Sequence, residues 1–115
     1  MISRQAWEQE YEKEFQRAVQ ARADGNEGMA RVCCRRAAGI VIGEYLRKRK
    51  INVVSNSAYD QLAIIEGLAD INENVKRVSR NFLIKVNQEH RLPETIDLIQ
   101  DVTWLKEALL VSPGS

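Results

Sequence analysis

The chain has 115 residues, 44% of them apolar and 29% charged, a balance that excludes an extended disordered polymer and fits one domain over residues 1–115 with one apolar core. A formal charge of +1 excludes a general pull toward nucleic acid or an anionic membrane, so any such binding needs a local patch. A single histidine, His90, and the lack of a CxxC pair exclude an ordinary structural zinc site, and no metal or cofactor is expected.

The first stretch, "MISRQAWEQEYEKEF", is acid-rich and has no hydrophobic centre, so it does not read as a signal peptide. Trp7, Tyr11, Phe15, Ala18 and Val19 recur at helical spacing, with Glu8, Glu10, Glu12, Lys13, Glu14 and Arg17 on the wet side. "ADGN" closes this helix: Gly25 suits a left-handed cap, and Asp24 or Asn26 can cap the next helix. That second helix is expected from Glu27 to Lys48, ending in the cationic "RKRK" that complements its dipole. Its apolar run, Ala37–Gly43, falls far short of the ~20 residues that cross a bilayer. No membrane association is expected, and a cytoplasmic location follows.

On a helical wheel Ala30, Cys33, Cys34, Ala37, Ile40, Val41 and Tyr45 cover the expected core face of the second helix. Val32, Gly39 and Gly43 lie roughly opposite, with Arg36 and Arg47 beside them. A glycine inside a helix costs ~1 kcal/mol against alanine, so Gly39 and Gly43 imply close approach of another backbone. That backbone belongs either to the same bundle or to a second subunit, which makes Val32, Gly39 and Gly43 candidate interface residues. Cys33 and Cys34 are adjacent on a helix, so their side chains diverge and they read as small core fillers. Arg31, Arg35 and Arg36 can grip a phosphate or an acidic partner, or form a solvated rim with Glu27 and Asp24.

"INVVSNS" reads as a loop, because no partner strand exists for its β-branched residues. Ser57 followed by Asp60 opens a third helix with Tyr59, Leu62, Ile65, Leu68 and Ala69 on its apolar side. "DINEN" breaks the chain before a stripe of Val75, Val78, Phe82, Leu83 and Val86. Lys76, Arg77, Arg80 and Lys85 flank that stripe, and Arg77 and Arg80 share a face able to bind phosphate or an acidic surface. "EHRLPE" is a turn, with Pro93 near the start of the last helix and Glu94 and Asp97 in its first turn. Leu98, Val102, Leu105 and Leu109 form the last stripe, and "SPGS" ends it. Trp7 and Trp104 are expected in the core rather than as base-stacking platforms. The expected architecture is all-α, a four- to five-helix up-and-down bundle.

The segment "GNEGMARVCCRRAAGIVIGEYL", followed by a loop, a helix pair and "LPETIDLIQDVTWL", resembles small bacterial HEPN-type proteins (higher eukaryotes and prokaryotes nucleotide-binding domain) from about Ala21 to Leu110. The resemblance implies a helical bundle that forms a homodimer, often beside a small nucleotidyltransferase-type protein partner. Many such proteins are metal-independent ribonucleases, some of them toxin-like, so RNA or a nucleotide is an implied ligand. Catalytic members carry Arg, four to six residues, then His: an imidazole works as acid or base while a guanidinium holds the scissile phosphate. Here the nearest arginine upstream of His90 is Arg80, with nine residues between them. "RNFLIK" puts Lys85 where histidine belongs, and "KVNQEH" puts Lys85 where arginine belongs. His90, Arg80 and Lys85 are therefore candidates only for a degenerate motif, and a binding module without catalysis is the favoured reading. A tetratricopeptide-like hairpin built on "AxADGNxxxAxxxxRxA" ranks last, since no second copy of it follows.

Overall fold

A computed structural model describes residues 6–51, 57–83 and 97–111. Helix α1 spans Ala6–Ala23, α2 Glu27–Lys48, α3 Ala58–Gly67, α4 Glu73–Asn81 and α5 Leu98–Lys106; α5 then widens into a π-helical turn, Glu107–Val111. Among the described residues there is no strand, and the fold is an all-α helical bundle. Among them, too, no helix is long and apolar enough to cross a membrane.

The helix boundaries follow from local chemistry. Gly25 takes a φ of +80°, a conformation that favours glycine, and lets the Asn26 N–H turn back to the Ala21 carbonyl at 2.8 Å. Of the two candidate caps it is Asn26 that opens α2, its side-chain oxygen accepting from the Met29 N–H at 3.1 Å. Asp24 instead accepts from Gln20 Nε2, at 3.0 Å along α1. Asn72 caps α4 through the Asn74 N–H at 2.7 Å. Asp97 lies just before α5 rather than in its first turn and accepts from the Ile99 and Gln100 N–H groups. Pro93, Glu94, Val86 and the loop residues 52–56 lie outside the described residues.

Helix α2 is the centre of the bundle, in contact with α1, α3 and α5, while α4 bridges α3 and α5. Its burial therefore runs nearly all the way round: Ala38, Ile42 and Leu46 are buried along with Ala30, Cys33, Cys34, Ala37 and Val41. The expected one-sided core face is corrected in two places, since Ile40 and Tyr45 are only half-buried. Even Glu44 is buried, where the Arg47 guanidinium compensates its charge. Phe82, Ile42, Leu46, Leu62, Ile65, Leu98 and Leu105 supply the largest fully buried side chains of the core.

Three aromatic or aliphatic side chains expected inside are instead exposed: Val19 at 40%, Tyr59 at 53% and Trp104 at 40%. Val19 and Trp104 each adjoin a buried residue, Ala18 and Leu105, and Tyr59 lies in the first turn of α3. Trp7 is half-buried and packs against the core. Phe82 and Leu83 follow the end of α4 as a turn rather than continuing the helix, yet Phe82 remains fully buried.

Candidate functional site: the arginine faces of α2 and α4

The glycines of α2 face α3 of the same chain. A Cβ at Gly39 would stand 2.8 Å from the Ala58 Cβ and 3.0 Å from its Cα, closer than packed carbons tolerate. A Cβ at Gly43 would meet only the side chain of Gln61, at 3.0 Å from Nε2. The close approach that the glycines permit is thus made within the bundle. Gly39 is buried there, and Gly39 and Gly43 are not a face left open to a second subunit. Val32, the third candidate interface residue, remains half-buried. It lies in a stripe with exposed Met29 and Arg36, half-buried Ile40 and exposed Arg47, spaced as one face of a helix.

The arginines divide into paired and unpaired groups. Arg80 donates from Nε and Nη2 to the two carboxylate oxygens of Glu66, at 2.9 and 2.6 Å. This fork joins α4 to α3 and holds the Glu66 carboxyl below the usual carboxylate range. Arg49 grips Asp70 in the same manner at 3.2 and 2.6 Å. Arg22 reaches Asp97 at 3.1 Å, and Arg17 lies 3.8 Å from Glu14. Arg77, expected to act with Arg80, points elsewhere: its Nη2 lies 3.5 Å from the Asn74 side-chain oxygen.

On α2 the outcome is different. Arg35 donates from Nε to the Phe82 carbonyl at 2.9 Å, and its guanidinium carbon lies 4.7 Å from the centre of the Tyr59 ring. Burial pulls the Arg35 pKa down, against the opposing influence of Tyr59, and the neighbouring charge of Arg31 adds to the fall. Arg31 is half-buried, and its Nε is buried with no hydrogen-bond partner. Arg36 is exposed. Arg31 and Arg35 thus share a face of α2 while Arg36 lies in the Val32 stripe, and Arg35 doubles as a tether between α2, α3 and the end of α4.

Sequence reasoning missed three members of these arrangements. Tyr59 reads as a core residue, Glu66 carries no signal of an ion pair with α4, and the Phe82 carbonyl is 47 residues from the arginine it anchors. The Asn81 side chain donates to Asp101 at 2.9 Å, and burial pushes that carboxyl up. His90 and Lys85 lie outside the described residues. Cys33 and Cys34 are both buried free thiols; burial raises both, Cys34 to about 12, which suits packing rather than nucleophilic attack. Among the described residues no group of His, Cys, Asp and Glu side chains is placed to hold a metal ion. No protein-family model, curated protein or solved structure matches the chain.

Proposed function

We propose that this chain is a non-catalytic helical binding module, HEPN-like in character, that works as a homodimer and engages a protein partner, with a nucleotide or RNA as a further ligand. A small nucleotidyltransferase-type protein is the partner class that the resemblance implies. The observation that carries the reading is the partly exposed stripe of α2. The central helix of a bundle usually keeps little surface of its own, yet Met29 and Arg36 stay exposed and Val32 and Ile40 stay half-buried. Met29 is 47% exposed, and the stripe mixes apolar side chains with cationic ones in the manner of protein-binding surfaces. The fork between Arg80 and Glu66 supports the non-catalytic part, because a guanidinium already holding a carboxylate must first release it to hold a scissile phosphate.

Two measurements test this reading together. Light scattering of the purified protein is expected to give a dimer, and Val32→Asp, which places a charge within the stripe, is expected to give a monomer that remains helical. RNA incubated without added metal is expected to stay intact. A monomeric wild-type protein would sink the interface. RNA cleavage that disappears in both His90→Ala and Arg80→Ala would instead make the chain a ribonuclease with a rearranged motif.

A further inference from the structure

The described arginines of this protein divide into those paired with a carboxylate and those without one. Arg17, Arg22, Arg47, Arg49 and Arg80 each lie within 4.0 Å of a carboxylate, and all but Arg17 and Arg22 do so with a close fork or hydrogen bond. Arg31, Arg35, Arg36 and Arg77 have no such partner among the described residues; Arg36 and Arg77 are exposed to solvent, whereas Arg31 and Arg35 are half-buried. These last two stand one turn apart on the same face, where like charges repel, and neither has an acidic partner among the described residues. An anion held between them would offset that repulsion.

Geometry narrows what the anion is. The Phe82 carbonyl takes the Nε–H of Arg35, and the Tyr59 ring lies against its guanidinium, so its plane is held while no described residue takes a hydrogen bond from its two terminal nitrogens. Arg31 adds a buried Nε–H with nothing to receive it. A planar carboxylate satisfies one guanidinium fork, as Glu66 does for Arg80. A tetrahedral phosphate dianion offers oxygens in several directions and can serve two guanidinium groups at once. Tyr59, 53% exposed, adds an aromatic surface at the rim. We propose that Arg31 and Arg35, with the Tyr59 ring beside them, form a binding site for a small phosphate-bearing ligand.

This inference deepens the nucleotide-binding part of the function proposed above, and it uses neither the α2 stripe nor the dimer. Its ligand is either a free inorganic phosphate species or the phosphate of a nucleotide, and the two differ in their use of Tyr59.

The test is a titration of the full chain with pyrophosphate and, separately, with adenosine monophosphate, read by calorimetry and by the NMR signals of the arginine Nε–H groups. The Arg31 and Arg35 signals are expected to move saturably while that of Arg17 stays still. Arg31→Ala is expected to weaken pyrophosphate binding about tenfold or more, as loss of a charge-assisted hydrogen bond does, and Lys48→Ala to leave it unchanged. A nucleotide site further requires Tyr59→Ala to weaken the monophosphate and spare pyrophosphate; an inorganic phosphate site shows pyrophosphate binding alone. The NMR readout on the unaltered protein keeps the test decisive if Arg31→Ala fails to fold. Absence of saturable binding by both ligands, or binding that leaves the Arg31 signal unmoved, overturns the site. Light scattering on the same samples reports the dimer separately, so either idea can fail while the other stands.

Discussion

The two halves of α2 solve opposite problems with the same helix. From Ala38 to Leu46 the helix is wrapped on several sides: Gly39 admits the backbone of Ala58, and Ile42 and Leu46 are fully buried. From Met29 to Arg36 it carries Arg31, Arg35 and Arg36, and Tyr59 of α3 lies against Arg35. Small residues bring backbones together, and long cationic ones keep their surroundings polar. A single helix with both kinds can be a structural axis at one end and a recognition surface at the other.

The sharpest way to break the contrast is to hollow out the closed half. Ile42→Ala should lower the free energy of unfolding by about 2–5 kcal/mol in urea, whereas Met29→Ala in the open half should change it by no more than about 0.5 kcal/mol. Equal losses would mean that the halves are not energetically distinct. Gly39→Ala comes next. The added methyl gains about 1 kcal/mol of helix propensity but collides with the Ala58 backbone, and overpacking of this kind costs about 1–3 kcal/mol. A net loss of up to about 2 kcal/mol is expected by the same urea measurement. Gly43→Ala is the companion experiment: only the end of the Gln61 side chain has to give way, so stability should hold or rise by up to about 1 kcal/mol.

The smallest effect concerns the surface forks. Glu66 and Asp70 have carboxyls held below their ordinary range by hydrogen bonds from Arg80 and Arg49. A depressed carboxylate stabilises the fold above its unfolded pKa, and this contribution fades as pH falls through its folded value. Arg80→Ala should therefore lower the urea midpoint slightly at neutral pH, and the gap should close in acid. A gap that persists once the carboxylates are protonated would mean that Arg80 acts through packing instead.

Much of this fold was legible because its helix ends are written in local chemistry. The limits of α2 could be read from Gly25, Asn26 and the terminal basic run, all of which act within a turn of the boundary. The stripes Leu62, Ile65 and Leu98, Val102, Leu105 emerge from periodicity alone. Burial around α2 did not emerge this way, because a helix enclosed from several directions has no wet face for a wheel to find. Ala38, Ile42 and Leu46 fell outside the single apolar arc and are core residues all the same. Val19 and Trp104 fail for the converse reason: periodicity gives the direction of a stripe but not the reach of the neighbouring helix.

The arginine site was half legible. Arg31, Arg35 and Arg36 sit close in sequence and were read as one patch, but their different fates depend on partners far along the chain. Nothing near Arg80 announces Glu66, and nothing near Arg35 announces the Phe82 carbonyl. Side-chain chemistry limits which bonds can form, and only the tertiary arrangement selects among them.

The enclosure of α2 also sets a clock. Its central amide hydrogens sit in an unbroken helical ladder beneath α1, α3 and α5, so no single neighbour can peel away and expose them all. Deuterium should enter the stretch from Ala37 to Leu46 only through opening of the whole bundle, while α4, which rests on two neighbours, exchanges through smaller excursions. The slowest amides of α2 would then report global stability directly, without any denaturant.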